Sequence, residues 1–160
     1  MATGGRVAHL RRNAPFEPPS EERLHREIKE AAARGLLCSQ IVMEIGLREL
    51  GLEHEGVVQA MGGLVGAIGF RNVTCGALTS AGCLIALAAL PRLDKKTYLL
   101  IEELEERFAE LAAKYPGNRC ADILDHEPNR SPTEVCPHLI VGAIRIALEL
   151  LAAEGIDGRG

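Results

Sequence analysis

Cys38, Cys75, Cys120 and Cys136 are the residues of this chain best suited to chemistry, and no two of them are close in sequence. Thiolates are soft metal ligands and the attacking species in disulfide exchange. Sulfurs gathered from distant positions could therefore hold a metal centre or cycle between dithiol and disulfide. The spacing argues against several familiar sites. No C-x-x-C pair is present, as a zinc knuckle or a thioredoxin-like motif would require, and no C-x-x-C-H for haem attachment. An iron–sulfur cluster needs only converging thiolates, with no fixed spacing when the ligands come from separate helices. Cysteine also fills helical cores as a small polarizable side chain. Cys83, deep in an apolar stretch with no turn or cap around it, is read that way.

The surroundings of the other four differ from a core position. Cys75 follows a glycine-rich stretch, Cys120 follows Gly117-Asn118-Arg119, Cys136 precedes Pro137, and Cys38 lies just past Gly35. Unpaired amides and the dipole at a helix start lower a thiol's pKa, so Cys75 is expected to favour the thiolate. The stretch 62–69 carries Gly62, Gly63, Gly66 and Gly69 and lacks the Lys-Ser/Thr ending of a phosphate loop. Its glycines could let helices touch or let the backbone approach a bound group. Gly62, Gly63, Gly66 and Gly76 are the expected lining of a cofactor site. His126 and His138 flank Cys136 and are read as surface or capping histidines rather than as ligands.

Positioning these residues falls to helices. Ser20 with Glu21 and Glu22 predicts a first helix ending at Gly35. Cys38, Ile41, Val42 and Ile45 share one stripe of a second helix over 36–50, with Cys38 pointing inward. A short helical stretch is expected near 54–61. Thr74 is the expected cap of a helix from Cys75 to Leu90, which Pro91 ends. Asp94 opens a helix with Ile101, Leu104, Phe108 and Leu111 inside and its glutamates outside. One turn is expected at 120–124. Ser131-Pro132-Thr133-Glu134 matches a capping box, yet Pro137 moves the expected start of the last helix to His138. That helix is apolar nearly all round, as one wrapped by neighbours or by a second subunit would be. No segment alternates as a strand does. The predicted architecture is all-α: an irregular bundle of about five main helices with short helical turns, in one domain over 20–155, preceded by a flexible arm over 1–19.

In these residues the chain resembles the C_GCAxxG_C_C redox-active protein family. Leu37-Cys38-Ser39-Gln40, then Cys75-Gly76-Ala77-Leu78-Thr79, then Cys120 after Phe108 and Gly117, then Cys136, occupy the family's four cysteine positions in order. The family's glycine at the end of its central element is Ser80 here, with Gly82 two residues on. The family is similar to the N-terminal iron–sulfur domain of split-Soret cytochromes. The resemblance implies an iron–sulfur cluster on Cys38, Cys75, Cys120 and Cys136, serving electron transfer with a redox partner protein. The alternatives from the residues are a metal-free thiol–disulfide protein and a non-catalytic helical interaction module.

Composition narrows the field. The net charge is −4 with acids and bases interspersed, and 3% of residues are aromatic, which leaves no basic patch for phosphates and few rings for base stacking. Nucleic acid is therefore not expected as a partner. The longest apolar run, 77–90, is broken by Thr79, Ser80 and Gly82, and membrane insertion is not expected. Arg11-Arg12 is followed by a proline-rich stretch rather than an apolar one, which points to the cytoplasm. The apolar last helix and the stretch Leu84–Leu90 lead to the expectation of a homodimer.

Overall fold

The computed structural model describes residues 17–70, 73–91 and 93–156, so residues 1–16 of the expected N-terminal arm lie outside the described residues. Ser20 accepts from the Arg23 amide (3.3 Å) and starts α1 (Glu21–Ala33). The chain then forms α2 (Cys38–Glu49), α3 (Glu55–Ala60), a 3-10 turn (Met61–Leu64) and a single π-type turn (Gly66–Phe70). It continues as α4 (Gly76–Ala88), α5 (Lys95–Leu111), α6 (Cys120–Leu124), α7 (Pro132–Val135) and α8 (Pro137–Ala153). Among the described residues there are eight α-helices and no strand; five of the helices are long and three are turns of four to six residues. The all-α bundle of five main helices is therefore as the sequence predicts.

Helix α8 runs through the middle and packs on α1, α2, α4 and α5. Leu139, Ala143, Ile144, Ala147 and Leu151 are fully buried there, and Leu24, Leu84, Ile85, Leu104 and Phe108 meet them from the other helices. Full burial of each large apolar side chain contributes about 1.5–3 kcal/mol. The face of α8 that motivated the expectation of a second subunit is thus covered within one chain, as are Leu84 and Ile85; Leu90 remains exposed. Helix α5 follows its predicted pattern. Asp94 accepts from the Thr97 amide (3.0 Å), Leu104 and Phe108 are buried, Ile101 and Leu111 are half-buried, and Glu102, Glu103, Glu105, Glu106 and Glu110 face outward.

Predicted helix starts shift at three cysteines; α8 begins at Pro137, directly after Cys136, rather than at His138. Helix α2 starts at Cys38 rather than 36, because the Leu36 amide is used on the Ala31 carbonyl (3.2 Å) closing α1, and Leu37 is extended. Gln40 Oε1 accepts from the Leu37 amide (3.3 Å), which fixes that start. Cys38 is consequently half-buried in the first turn instead of pointing inward from mid-helix. Helix α4 starts at Gly76 with Cys75, not Thr74, in the capping position.

The most extensive helix pairing is α2 on α4. It depends on Gly46, where an added Cβ would fall inside van der Waals contact of the Leu84 methyl groups. Leu84 is fully buried and has nowhere to swing. Gly46→Ala should cost about 1–3 kcal/mol through overpacking. Gly56 in exposed α3 has open space around it, and Gly56→Ala should gain up to about 1 kcal/mol. Denaturant unfolding of the two variants checks the opposite signs.

Candidate functional site

Each of the four dispersed cysteines stands at a helix start. Cys38 is the first residue of α2, Cys75 precedes α4, Cys120 is the first residue of α6, and Cys136 ends α7 and begins α8. The Cys136 amide donates to the Pro132 carbonyl (2.9 Å), and the Cys136 carbonyl accepts from Leu139 and Ile140 (both 3.0 Å). Both proline-led helices thus exist, joined at that residue; the capping box at Ser131 and the stop at Pro137 were not exclusive.

A short backbone clamp brings Cys75 beside Cys120. Thr74 and Arg119 form an isolated antiparallel bridge. The Cys75 amide donates to the Asn118 carbonyl (2.8 Å), and the Cys120 amide donates to the Val73 carbonyl (3.3 Å). Arg119 is held in turn by bonds from its guanidinium to Asp122 (2.9 and 2.6 Å). Farther along, Glu127 pins the segment between Cys120 and Cys136 by accepting from Lys114 (2.9 Å), Tyr115 (3.2 Å) and Arg130 (2.5 Å). The Lys114 ammonium, and then Arg130, hold its carboxyl down to about 2.

Gly76 makes the close approach between α4 and its surroundings possible. A Cβ there would lie 2.6 Å from the Leu64 carbonyl oxygen and 3.1 Å from Cys38 Sγ. Any side chain would push the glycine-rich turn or the Cys38 sulfur away. Gly62 faces Gln40, at 3.4 Å from a built Cβ, whereas Gly63 opens to free space. Gly66, Ala67 and Ile68 all adopt left-handed φ (+60°, +54° and +57°). For a residue with a Cβ this costs about 1–2 kcal/mol. The strained turn packs against α6, which begins with Cys120.

The charges acting on two of the thiols agree with this backbone arrangement. Burial pushes the Cys136 thiol up to about 12, and charge on Cys75, Cys38 and Cys120 pushes the same way. Burial, first, and then Cys38 and Cys120 raise Cys75 to about 11, although the Ala77 and Leu78 amides pull it down. Cys83 is raised by burial alone and stands apart from the group. The expectation of a thiolate at Cys75 is corrected: helix-start amides act in the predicted direction, but Cys75 is only 8% exposed, and desolvation outweighs them.

The flanking histidines belong elsewhere. Both pack on Tyr115, at ring-centre separations of 5.6 Å for His126 and 6.3 Å for His138. Burial keeps His138 below the usual imidazole pKa, and the charges acting on it are Lys114, Glu127 and Arg130, none of them a cysteine. Among the described residues, no three His, Cys, Asp or Glu side chains close around the position of a single ion. What sequence reasoning missed was backbone and hydroxyl structure: the 74–119 bridge, the Leu64 carbonyl against Gly76, and two fully buried serines, Ser39 and Ser80.

A family model, that of the putative redox-active protein C_GCAxxG_C_C, matches residues 36–150. No curated protein and no solved structure matches the chain. No helix among the described residues is long and apolar enough to cross a membrane.

The raised thiols make a pH prediction for the metal-free chain. Cys75 and Cys136 bind their protons more tightly folded (about 11 and about 12) than at the ordinary thiol value of 9.0. Their contribution to stability is complete below pH 9 and is lost as pH rises through 11 to 12. An absorbance titration of thiolate should show two sulfurs ionising only above about pH 10, with stability falling over the same interval. Ionisation of all five thiols near the ordinary value would contradict the buried placement.

Proposed function

The chain belongs to the C_GCAxxG_C_C family, and from that premise we propose that Cys38, Cys75, Cys120 and Cys136 together ligate an iron–sulfur cluster used for electron transfer. One arrangement carries the reading: the Thr74–Arg119 bridge holds Cys75 beside Cys120 and the Cys38 sulfur lies against Gly76, with charge on all three raising Cys136, while Cys83 stands apart. The donor set fits such a group, since iron–sulfur clusters are held by cysteine thiolates and each ligand need reach only its own iron. The clearance at Gly76 fits as well, because a Cβ there would displace the Cys38 sulfur.

When bound, the cluster supplies a centre that accepts and returns an electron. The chain's residues supply the rest. The four thiols must give up their protons on loading, so cluster affinity rises with pH and binding releases protons. The amide-rich starts of α2, α4 and α8 favour the negative charge that the sulfurs then carry. Gly62, Gly63, Gly66 and Gly76 let backbone amides approach and tune the potential. Burial of Cys75 keeps water from the sulfur. The electron is exchanged with a partner protein in a reducing compartment, where thiols persist for loading.

A metal-free dithiol–disulfide couple has less support. Exchange is fastest from a thiol whose pKa lies near ambient pH. Burial lifts Cys75 and Cys136 far above that range.

Anaerobic purification or reconstitution, with iron and acid-labile sulfide analysis, tests the proposal. The parent chain should bind iron and sulfide in comparable amounts and show a broad visible spectrum. Serine at position 38, 75, 120 or 136 should lose most of it, and Cys83→Ser should behave as the parent. Colourless, iron-free protein after reconstitution would contradict the reading, as would equal loss at Cys83.

A further inference from the structure

Ser80 lies in the first half of α4, and the structure gives it a specific task. It is fully buried on the inner face of α4. Its hydroxyl donates to the Ser39 carbonyl in the first turn of α2 (2.6 Å). The Ser39 hydroxyl, equally buried, donates to the Met61 carbonyl (2.7 Å). That carbonyl begins the 3-10 turn whose last residue, Leu64, abuts Gly76 at the start of α4. The connections therefore close on themselves, from α4 through α2 and the glycine-rich turn back to α4, with Cys38 and Cys75 on the circuit.

We propose that Ser80 is a positioning residue for the sulfur site: its bond to Ser39 sets the register of α2 against α4 and with it the placement of the Cys38 sulfur relative to Cys75. This rests on the cluster reading above. The rest of the α2–α4 contact is largely apolar, and apolar contacts resist sliding and rotation weakly because they have no preferred direction. A hydroxyl-to-carbonyl bond is directional and, at a buried site, strong in either of its two links. Cys38 immediately precedes Ser39, so a shift of the first turn of α2 moves that sulfur directly. Glycine at this position would leave the register to packing alone; here a hydrogen bond takes it over.

Ser80→Ala removes the hydroxyl with little change of shape. It strands no donor, because the Ser39 carbonyl keeps its place in the α2 ladder. Ser39→Ala cuts the second link and serves as the independent variant should Ser80→Ala fail to fold. Thr97→Ala is the control, since it removes a buried hydroxyl bonded to Asp94 (3.3 Å) at the start of α5, beyond the opposite end of α4.

The measurement is the rate at which anaerobically reconstituted protein loses iron to a chelator, together with hydrogen exchange of the 61–64 amides in the metal-free chain. Outer partners of metal ligands typically affect affinity by about 10- to 100-fold. Ser80→Ala and Ser39→Ala should lose iron at least about tenfold faster than the parent and exchange faster at 61–64. Thr97→Ala should match the parent in both, although its melting temperature drops. Parent-like iron retention in both serine variants overturns the proposal and leaves the cluster reading intact. Equally fast loss from Thr97→Ala also overturns it, since general destabilisation then explains the effect. A parent chain that takes up no iron overturns the cluster reading and this inference with it.

Discussion

The structure depends on helix starts that present sulfur, with Cys75 buried and Cys38, Cys120 and Cys136 half-buried. Opposing forces meet there. The amide ends of α2, α4 and α8 favour negative charge on the thiols, whereas desolvation and mutual repulsion oppose it. In the metal-free chain the second pair wins, and Cys75 and Cys136 hold their protons to about 11 and about 12. On the proposed reading, a bound cluster would offset the charge on its sulfurs, so that Cys75 and Cys136, slow to ionise alone, would serve as ligands.

The bundle provides the rigidity this needs. Helix α8 passes through the core and begins at Cys136, so that cysteine is anchored on the most buried element. Cys38 and Cys75 begin the two helices with the most extensive mutual contact. Cys120 lacks a long helix of its own. The 74–119 bridge compensates by tying it to the Cys75 segment, and the ion pairs of Glu127 hold the connection toward Cys136. Strain is confined to Gly66–Ile68, the turn on which α6 rests.

Much of this was legible in the sequence, for reasons that are local. Asp94 and the stripe of Leu104 and Phe108 define α5, and Ser20 caps α1; periodicity and capping chemistry act within one element. The start of α2 was misjudged by two residues, because the hydrogen bond that decides it, from Leu36 to Ala31, belongs to the end of α1. The Thr74–Arg119 bridge joins residues 45 positions apart in sequence, and short irregular segments have no periodic pattern to announce such a pairing. The state of Cys75 was misread for a different reason. Its helix start is visible in the sequence, but its burial comes from the packing of the assembled core. The role of Ser80 rests on its 2.6 Å bond to the Ser39 carbonyl, 41 positions away in sequence, which no local pattern announces.

Iron-edge X-ray absorption on the anaerobically reconstituted chain addresses the shared centre most directly. The account predicts a first shell made of sulfur alone and an iron neighbour at short range, both lost together when Cys38, Cys75, Cys120 or Cys136 is replaced. Iron surrounded by nitrogen or oxygen with no second iron nearby would show that the gathered sulfurs do not hold a common cluster.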